Sequence, residues 1–152
     1  QQLSNILREK EEEFKQDIYL ISDEPYREIV YDNAKVPCVL KYYDNSLKYI
    51  KEKVSNPQFY VFTDDREWAK ETFKNTSVKV IDVAIDKTNY TNIQIMSSCK
   101  HNILANSTAS WWAAWLNNNK NKIIITPDIW LNQKEANMDD IVPHDWIRIS
   151  HI

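Results

Sequence analysis

The chain contains no glycine. At an ordinary usage near 7%, about ten would stand in a chain of this length. Glycine supplies positive-φ turns and the left-handed stop of many helices. Asparagine must take those positions here, as in Asn117-Asn118-Asn119 and in Asp32-Asn33. Such a composition suggests an unusual or manipulated sequence. Cysteine is scarce as well. Cys38 and Cys99 are too few and too scattered for a disulfide framework or a metal cluster, so no metal site is expected. They read as buried thiols in a reducing, cytoplasmic compartment. No apolar run approaches the roughly 20 residues of a membrane helix, and no membrane partner is expected. Gln1 to Gln16 is polar and acidic, unlike a secretory leader. Basic excess is also missing. The net charge is −3 and the pI about 5.6. This argues against a general nucleic-acid surface, which needs a clustered basic face. His101, His144 and His151 stand far apart and read as structural or surface groups.

What is present is ordinary for one globular domain: 152 residues, 43% hydrophobic and 27% charged. Leu3, Ile6, Leu7 and Phe14 fall on one helical stripe, with Glu11-Glu12-Glu13 on a solvated face. Ile18 to Ile21 is a short apolar run that fits a buried strand. Pro25 can open a helix. Tyr43 to Val54 reads as a helix with Leu47, Ile50 and Val54 inward, and Asn56-Pro57 as a turn. Phe59 to Phe62 is a second strand. Asp64 and Glu67 have capping-box spacing for a helix that turns Ala69 and Phe73 inward. Val78 to Ile81 is a third strand. Tyr90 to Lys100 is a helix with Ile93, Met96 and Cys99 on its buried side. Ile103 to Ala105 is a fourth strand. Lys122 to Thr126 is a fifth, stopped by Pro127. Trp130 to Asn137 reads as a short helix or loop, and Asp145 to Ile149 as a short extended segment. Strands and helices alternate with short turns, which implies a parallel sheet covered on both faces. The expected fold is a single α/β domain over residues 1–152: three-layer, Rossmann-like, with a mostly parallel sheet of about five strands and right-handed crossovers.

The centre of the pattern is Asn102 to Leu116. An apolar run, Ile103 to Ala105, meets a polar elbow, Asn106-Ser107-Thr108. A very apolar helix follows. In it Trp111 and Trp115, and Trp112 and Leu116, are four residues apart and share faces. Ser107 or Thr108 is a natural N-cap. In an open α/β sheet such a turn lies at the carboxyl end of a strand, where ligands bind. A helix start rich in hydroxyls and free N–H groups also suits a phosphate. The plainer alternative is a capped core helix. The three tryptophans of that helix are expected in the core, ahead of a sugar-stacking role.

From about Tyr43 to Ile149 the chain resembles the nucleotide-sugar-binding half of bacterial α-1,2-fucosyltransferases. The motifs are Tyr42-Tyr43, Leu47-Lys48-Tyr49-Ile50-Lys51, and Phe59-Tyr60-Val61-Phe62-Thr63-Asp64-Asp65-Arg66-Glu67-Trp68. Met96 to Leu116, Lys122 to Pro127 and Asp145-Trp146-Ile147 continue them. The resemblance implies a B-type glycosyltransferase fold. It also implies fucosyl transfer from GDP-fucose to a sugar hydroxyl without a required metal. Residues 1–45 resemble a different family. Leu7 to Phe14 and Asp17 to Tyr31 are similar to a cofactor-domain segment of pyridoxal-phosphate aminotransferases, in which the residues matching Asp23 and Tyr26 contact the cofactor. No Ser-x-x-Lys motif before a glycine-rich region follows to supply the Schiff-base lysine, since the chain has no glycine. Pyridoxal phosphate is therefore not expected to bind. The join near Tyr42-Tyr43 suggests a recombined, chimeric or designed chain.

The fucosyltransferase resemblance implies where a nucleotide would sit. Asp64 and Asp65 match an acidic pair after the second strand, with helix capping as their plainer role. Asn106, Ser107, Thr108 and Ser110 match a hydroxyl-rich loop that meets the diphosphate. Three positions depart from the family pattern: Ala109 for a usual Phe, Ala113 for a usual Gly, and Asn92 for a usual Asp. A larger departure follows the first strand. There the family carries an H-x-R-R-x-D segment whose arginines bind phosphate oxygens bidentately. This chain has Ser22-Asp23-Glu24-Pro25. The expected function is a fucosyltransferase-like domain that is catalytically incomplete, so no catalytic residue is assigned. The alternative is a GDP-fucose-dependent fucosyltransferase domain that retains nucleotide-sugar binding. GDP or a nucleotide sugar is the expected small-molecule partner in either case.

Overall fold

The computed structural model describes residues 18–22, 39–63, 65–74, 76–81, 89–130 and 137–150. The expected amino-terminal helix, the Pro25 helix start, the Asp32-Asn33 turn and most of 130–137 lie outside these residues, as do Cys38 and His151. The described elements alternate as the spacing predicts. They are β1 (Ile18–Ser22), α1 (Val39–Lys53), β2 (Gln58–Phe62), α2 (Arg66–Phe73), β3 (Val78–Val80) and α3 (Asn89–Ser97), followed by β4 (His101–Ile103), α4 (Thr108–Leu116), β5 (Ile124–Pro127), a 3-10 turn (Met138–Asp140) and β6 (Ile147–Ile149).

All six described strands join one sheet in the order β3-β2-β1-β4-β5-β6, and every pairing among them is parallel. This is the doubly wound order of dinucleotide-binding sheets. The register runs Ile21 opposite Val61 on one side of β1 and Ile21 opposite Ile103 on the other. The sheet has one strand more than expected. The short Ile147-Arg148-Ile149 segment adds to the edge beside β5 and pairs Ile125 with Ile147 and Pro127 with Ile149. An edge strand of three residues carries too little pattern to be read as more than extended.

The helices divide between the faces. Tyr42, Tyr43, Leu47 and Ile50 of α1 and Ala69 and Phe73 of α2 pack with Phe59, Val61, Ile103 and Ile125. The opposite face carries α3 and α4: Ile95, Met96, Cys99 and Ala113 pack with Phe62, and Ala114 packs with Leu104, Ile124, Val142 and Trp146. Side chains alternate across a strand, so Phe59 and Val61 serve one face while Tyr60 and Phe62 serve the other. A sheet buried on both faces explains why the strands read as continuous apolar runs. The architecture is the expected three-layer one.

The missing glycines are replaced differently from expectation. Asn56 holds the one positive φ among the described residues, at 55°, in the Asn56-Pro57 turn. Asn117 has φ −66° and ψ 116°, which is extended. The α4 helix therefore ends on one backbone bond, from the Asn117 N–H to the Ala114 carbonyl, supported by side chains. The Lys122 ammonium donates to the carbonyls of Ala114 (3.0 Å), which also accepts from the Asn117 N–H, and Asn117 (2.9 Å). Asn117 donates through Nδ2 to the Cys99 carbonyl (2.7 Å) and to Asn102 Oδ1 (2.8 Å), and its Oδ1 accepts from the Asn119 N–H (2.8 Å). Cys99 is buried, as expected. His101 is structural: its Nδ1 accepts from the Ile123 N–H at 2.8 Å.

Candidate functional site

In a sheet of this order, the direction in which successive strands are added reverses between β1 and β4. By the general rule for open α/β sheets, ligands bind beside the carboxyl ends of the strands at such a point. The elbow stands at that point. Beyond β4, Leu104 and Ala105 stay buried but the chain leaves the ladder. The fourth strand thus lies two residues earlier than expected, at His101–Ile103. The Ser107 N–H donates back to the Ala105 carbonyl at 2.7 Å, a tight reversal. Ser107 is then extended (φ −132°, ψ 131°) and α4 begins at Thr108. Its first helical bond runs from the Trp111 N–H to the Ser107 carbonyl at 3.0 Å.

Ser107 occupies the N-cap position, but its hydroxyl makes no cap bond. The expected cap is therefore a cap by position only. No intrahelical acceptor exists for the N–H groups of Thr108, Ala109 and Ser110, which are among the first four of the helix. Ser107 is half-buried and Thr108 exposed. The Ser110 hydroxyl points inward. It is buried and lies 2.8 Å from the Ser107 carbonyl and 3.1 Å from that of Ala105, bracing the elbow from inside. Asn106 is also committed to the scaffold. Its Nδ2 donates to the carbonyls of Ile129 and Trp130, both at 3.0 Å, and ties the elbow to the loop after β5. Of the four candidates in this loop, Ser107 and Thr108 face outward and Asn106 and Ser110 hold the shape.

The acidic pair divides. Asp64 lies outside the described residues. Asp65 caps α2: its carboxylate accepts from the Trp68 N–H at 3.0 Å, while its own N–H donates to Thr63 Oγ1. The cap is thus one residue later than the Asp64/Glu67 spacing predicted. Because β1 lies between β2 and β4, Asp65 and the elbow flank β1, two strand spacings or ~10 Å apart in the sheet. Asp65 and the elbow share the carboxyl edge without touching through any described bond. Asn92 is exposed on α3, and Ala113 is fully buried where α4 meets α3.

Two side chains beside the elbow were not among the candidate site residues. One is Tyr42, only 2% exposed, whose hydroxyl donates to the Leu104 carbonyl at 2.6 Å and lies 3.3 Å from that of Ile125. The other is Trp111. Its Nε1 donates to the Ile141 carbonyl (2.9 Å), and its ring stacks on Trp115 with centroids 5.3 Å apart and planes 10° from parallel. The expected burial of the tryptophan trio needs correcting. Trp112 is 51% exposed and Trp115 is 54% exposed. Ser110, Ala113 and Ala114 form the face toward the sheet, and this places positions 112, 115 and 116 outside. Among the described residues no group of His, Cys, Asp or Glu could hold a metal, and no helix is long and apolar enough to cross a membrane.

Comparison with known proteins agrees with the geometry. Residues 29–150 match the family model described as Glycosyl transferase family 11. An alpha-1,2-colitosyltransferase of Escherichia coli is 40% identical over 118 residues, covering 74% of this chain and 39% of the relative. The O-antigen biosynthesis glycosyltransferase WbnK of Escherichia coli is 35% identical over 114 residues, covering 72% of this chain and 36% of the relative. The chain thus spans under half the length of these curated relatives. No solved structure matches significantly. Neither relative is an aminotransferase. The family match starts at residue 29, inside the stretch that resembles one, and runs through the expected join. That join also falls inside the continuous helix α1. Nothing in these matches supports a chimeric or designed origin.

Proposed function

Because the chain belongs to glycosyl transferase family 11, we propose that it forms the nucleotide-sugar-binding unit of a fucosyltransferase-like glycosyltransferase. Its donor is GDP-fucose or the colitosyl counterpart suggested by the colitosyltransferase relative. The observation that carries this reading is the elbow: a hydroxyl-bearing helix start placed at the β1/β4 switch point of a doubly wound sheet. The diphosphate lies against the first turn of α4. The N–H groups of Thr108, Ala109 and Ser110 and the hydroxyls of Ser107 and Thr108 face its oxygens. During transfer an acceptor hydroxyl gives its proton to a base on the acceptor side and bonds to the anomeric carbon, the bond from that carbon to the diphosphate breaks, and negative charge grows on the departing oxygen. The positive end of α4 stabilises that charge.

Transfer by this chain alone is not part of the proposal. In the family, arginines after the first strand share the diphosphate charge. Here Ser22-Asp23-Glu24-Pro25 stands in their place in the sequence, so those arginine charges are not supplied there. Calorimetric titration with GDP and GDP-fucose tests the reading. Binding is expected, with Ser107→Ala weakening it about fivefold, the value of one ordinary hydrogen bond. Absence of heat at millimolar ligand would sink it. Transfer of fucose to lactose by the isolated chain would overturn the view that the chain is catalytically incomplete.

A further inference from the structure

The hydroxyl of Tyr42 does something the ladder itself cannot do. In a parallel pair, a residue's N–H goes to the strand beside it and its carbonyl receives an N–H two residues further along that strand. Asn102 and Leu104 follow the pattern on β4, donating to Ile123 (3.0 Å) and Ile125 (2.8 Å). With Ile103 opposite Ile125, Leu104 stands opposite residue 126, and the carbonyl of Leu104 should next receive the N–H of residue 127. That residue is Pro127, which has no N–H. Leu104 is 1% exposed, so water does not replace the lost donor. A buried carbonyl left unpaired is costly. The Tyr42 hydroxyl fills the gap at 2.6 Å, from a helix 62 positions earlier in the chain.

We propose that Tyr42 is the positioning residue of the elbow: its hydroxyl replaces the donor that Pro127 withholds and, where the β4–β5 ladder ends at Leu104, fixes where the chain turns into Asn106–Ser110. The ladder ends because Pro127 cannot continue it. The geometry is retained because Tyr42 holds the carbonyl that the break would free. Leu104 is three residues from Ser107, so a shift of this carbonyl moves the first turn of α4 directly. In its nucleotide consequence this inference rests on the binding function proposed above. The placement of the elbow does not depend on it.

The test uses three variants: Tyr42→Phe, Pro127→Ala, and the two combined. Tyr42→Phe deletes only the hydroxyl and keeps the ring against Tyr43. Pro127→Ala introduces a backbone N–H at the position the register directs toward Leu104. Amide hydrogen exchange is the first readout. Tyr42→Phe is expected to speed exchange at Ser107 and Trp111 roughly tenfold relative to α3 amides, and the combined variant to return it toward wild type. A general loss of packing would not be rescued by a new N–H at residue 127. Equal exchange in Tyr42→Phe and wild type, or no recovery in the combined variant, overturns the inference. GDP affinity is the second readout. Where wild type binds GDP, Tyr42→Phe is expected to bind roughly tenfold more weakly and the combined variant to recover; unchanged affinity in Tyr42→Phe overturns control of the nucleotide site by Tyr42. If wild type does not bind GDP, the functional reading fails and hydrogen exchange alone decides the role of Tyr42.

Discussion

Several single side chains here do work that glycine or a ladder bond does in other sheets. Asn117 is the most heavily used: it is 4% exposed and serves the Cys99 carbonyl, Asn102 Oδ1 and the Asn119 N–H. Asn117→Ala strands these partners, of which the Cys99 carbonyl and Asn102 Oδ1 are buried. It is expected to cost roughly 2–4 kcal/mol, read by urea denaturation. A cost below about 0.5 kcal/mol would show that the partners find other bonds. Ser107→Ala should behave in the opposite way. Its hydroxyl makes no cap bond, so stability should stay within about 0.5 kcal/mol of wild type even as nucleotide affinity falls. At this scale the sequence was only partly legible. The hydroxyl-rich elbow could be placed from residue types, and the inward faces of Ile50, Ala69 and Phe73 from periodicity. The exposed tryptophans could not. An all-apolar helix has no polar stripe to mark its outside, and the small residues Ala113 and Ala114, rather than the bulky ones, let it approach the sheet. Nor could Tyr42 be read, because its partner carbonyl is orphaned by a proline 85 positions away in the chain.

At the scale of elements, ends and edges carry the information. The α2 helix begins on Asp65, and Asp65→Ala is expected to cost about 1 kcal/mol while Asp65→Asn keeps most of the cap. Equal losses in the two variants, measured by thermal unfolding, would point to the charge rather than the capping bond. The β6 strand is tied to the 3-10 turn by Arg148, which donates to Asp139 Oδ1 at 2.7 Å. That hydrogen bond, with the Arg148 charge and more weakly that of His144, holds the Asp139 carboxyl below the ordinary aspartate value. The native state therefore binds this proton less tightly than the unfolded chain. The contribution is complete above the unfolded aspartate pKa and disappears as pH falls through the lower native value. Asp139→Asn is expected to remove this part of the acid-side loss of stability. An unchanged acid limb in thermal unfolding would show that the exposed pair is too screened to matter. Strand and helix existence was legible because both faces of the sheet are covered and the apolar runs are continuous. Element ends were less so. β4 leaves the ladder while its sequence is still apolar, and Pro127 is the last residue of β5 rather than the stop after it.

Across the whole molecule, alternation of strands and helices implied a parallel three-layer domain, but strand order was not in the pattern. Order is decided by which way each crossover turns, and the same alternation fits several windings. The observed winding puts β1 in the middle of the sheet and β3 and β6 at its edges. A nucleotide bound at the β1/β4 edge touches elements that come together only in the folded state, so binding should raise the melting temperature. At a ligand concentration a hundredfold above Kd the gain is about 2.7 kcal/mol. For a domain of this size that is roughly 5–10 °C, and differential scanning fluorimetry with GDP would read it. A flat response at that concentration would count against the site. The central place of β1 has a consequence in time as well as in space. Its two neighbours are β2 and β4, and Ile21 meets Ile103 only after some 80 further residues have been made. At about 5–20 residues per second, a nascent chain carries β1 for several seconds with one edge unsatisfied. Contacts this distant in sequence also slow closure of the fold. Of the described strands, β1 is made first and waits longest for its second neighbour. During that interval its open edge is where the growing chain is most exposed to mispairing, and where a holding chaperone would be expected to act.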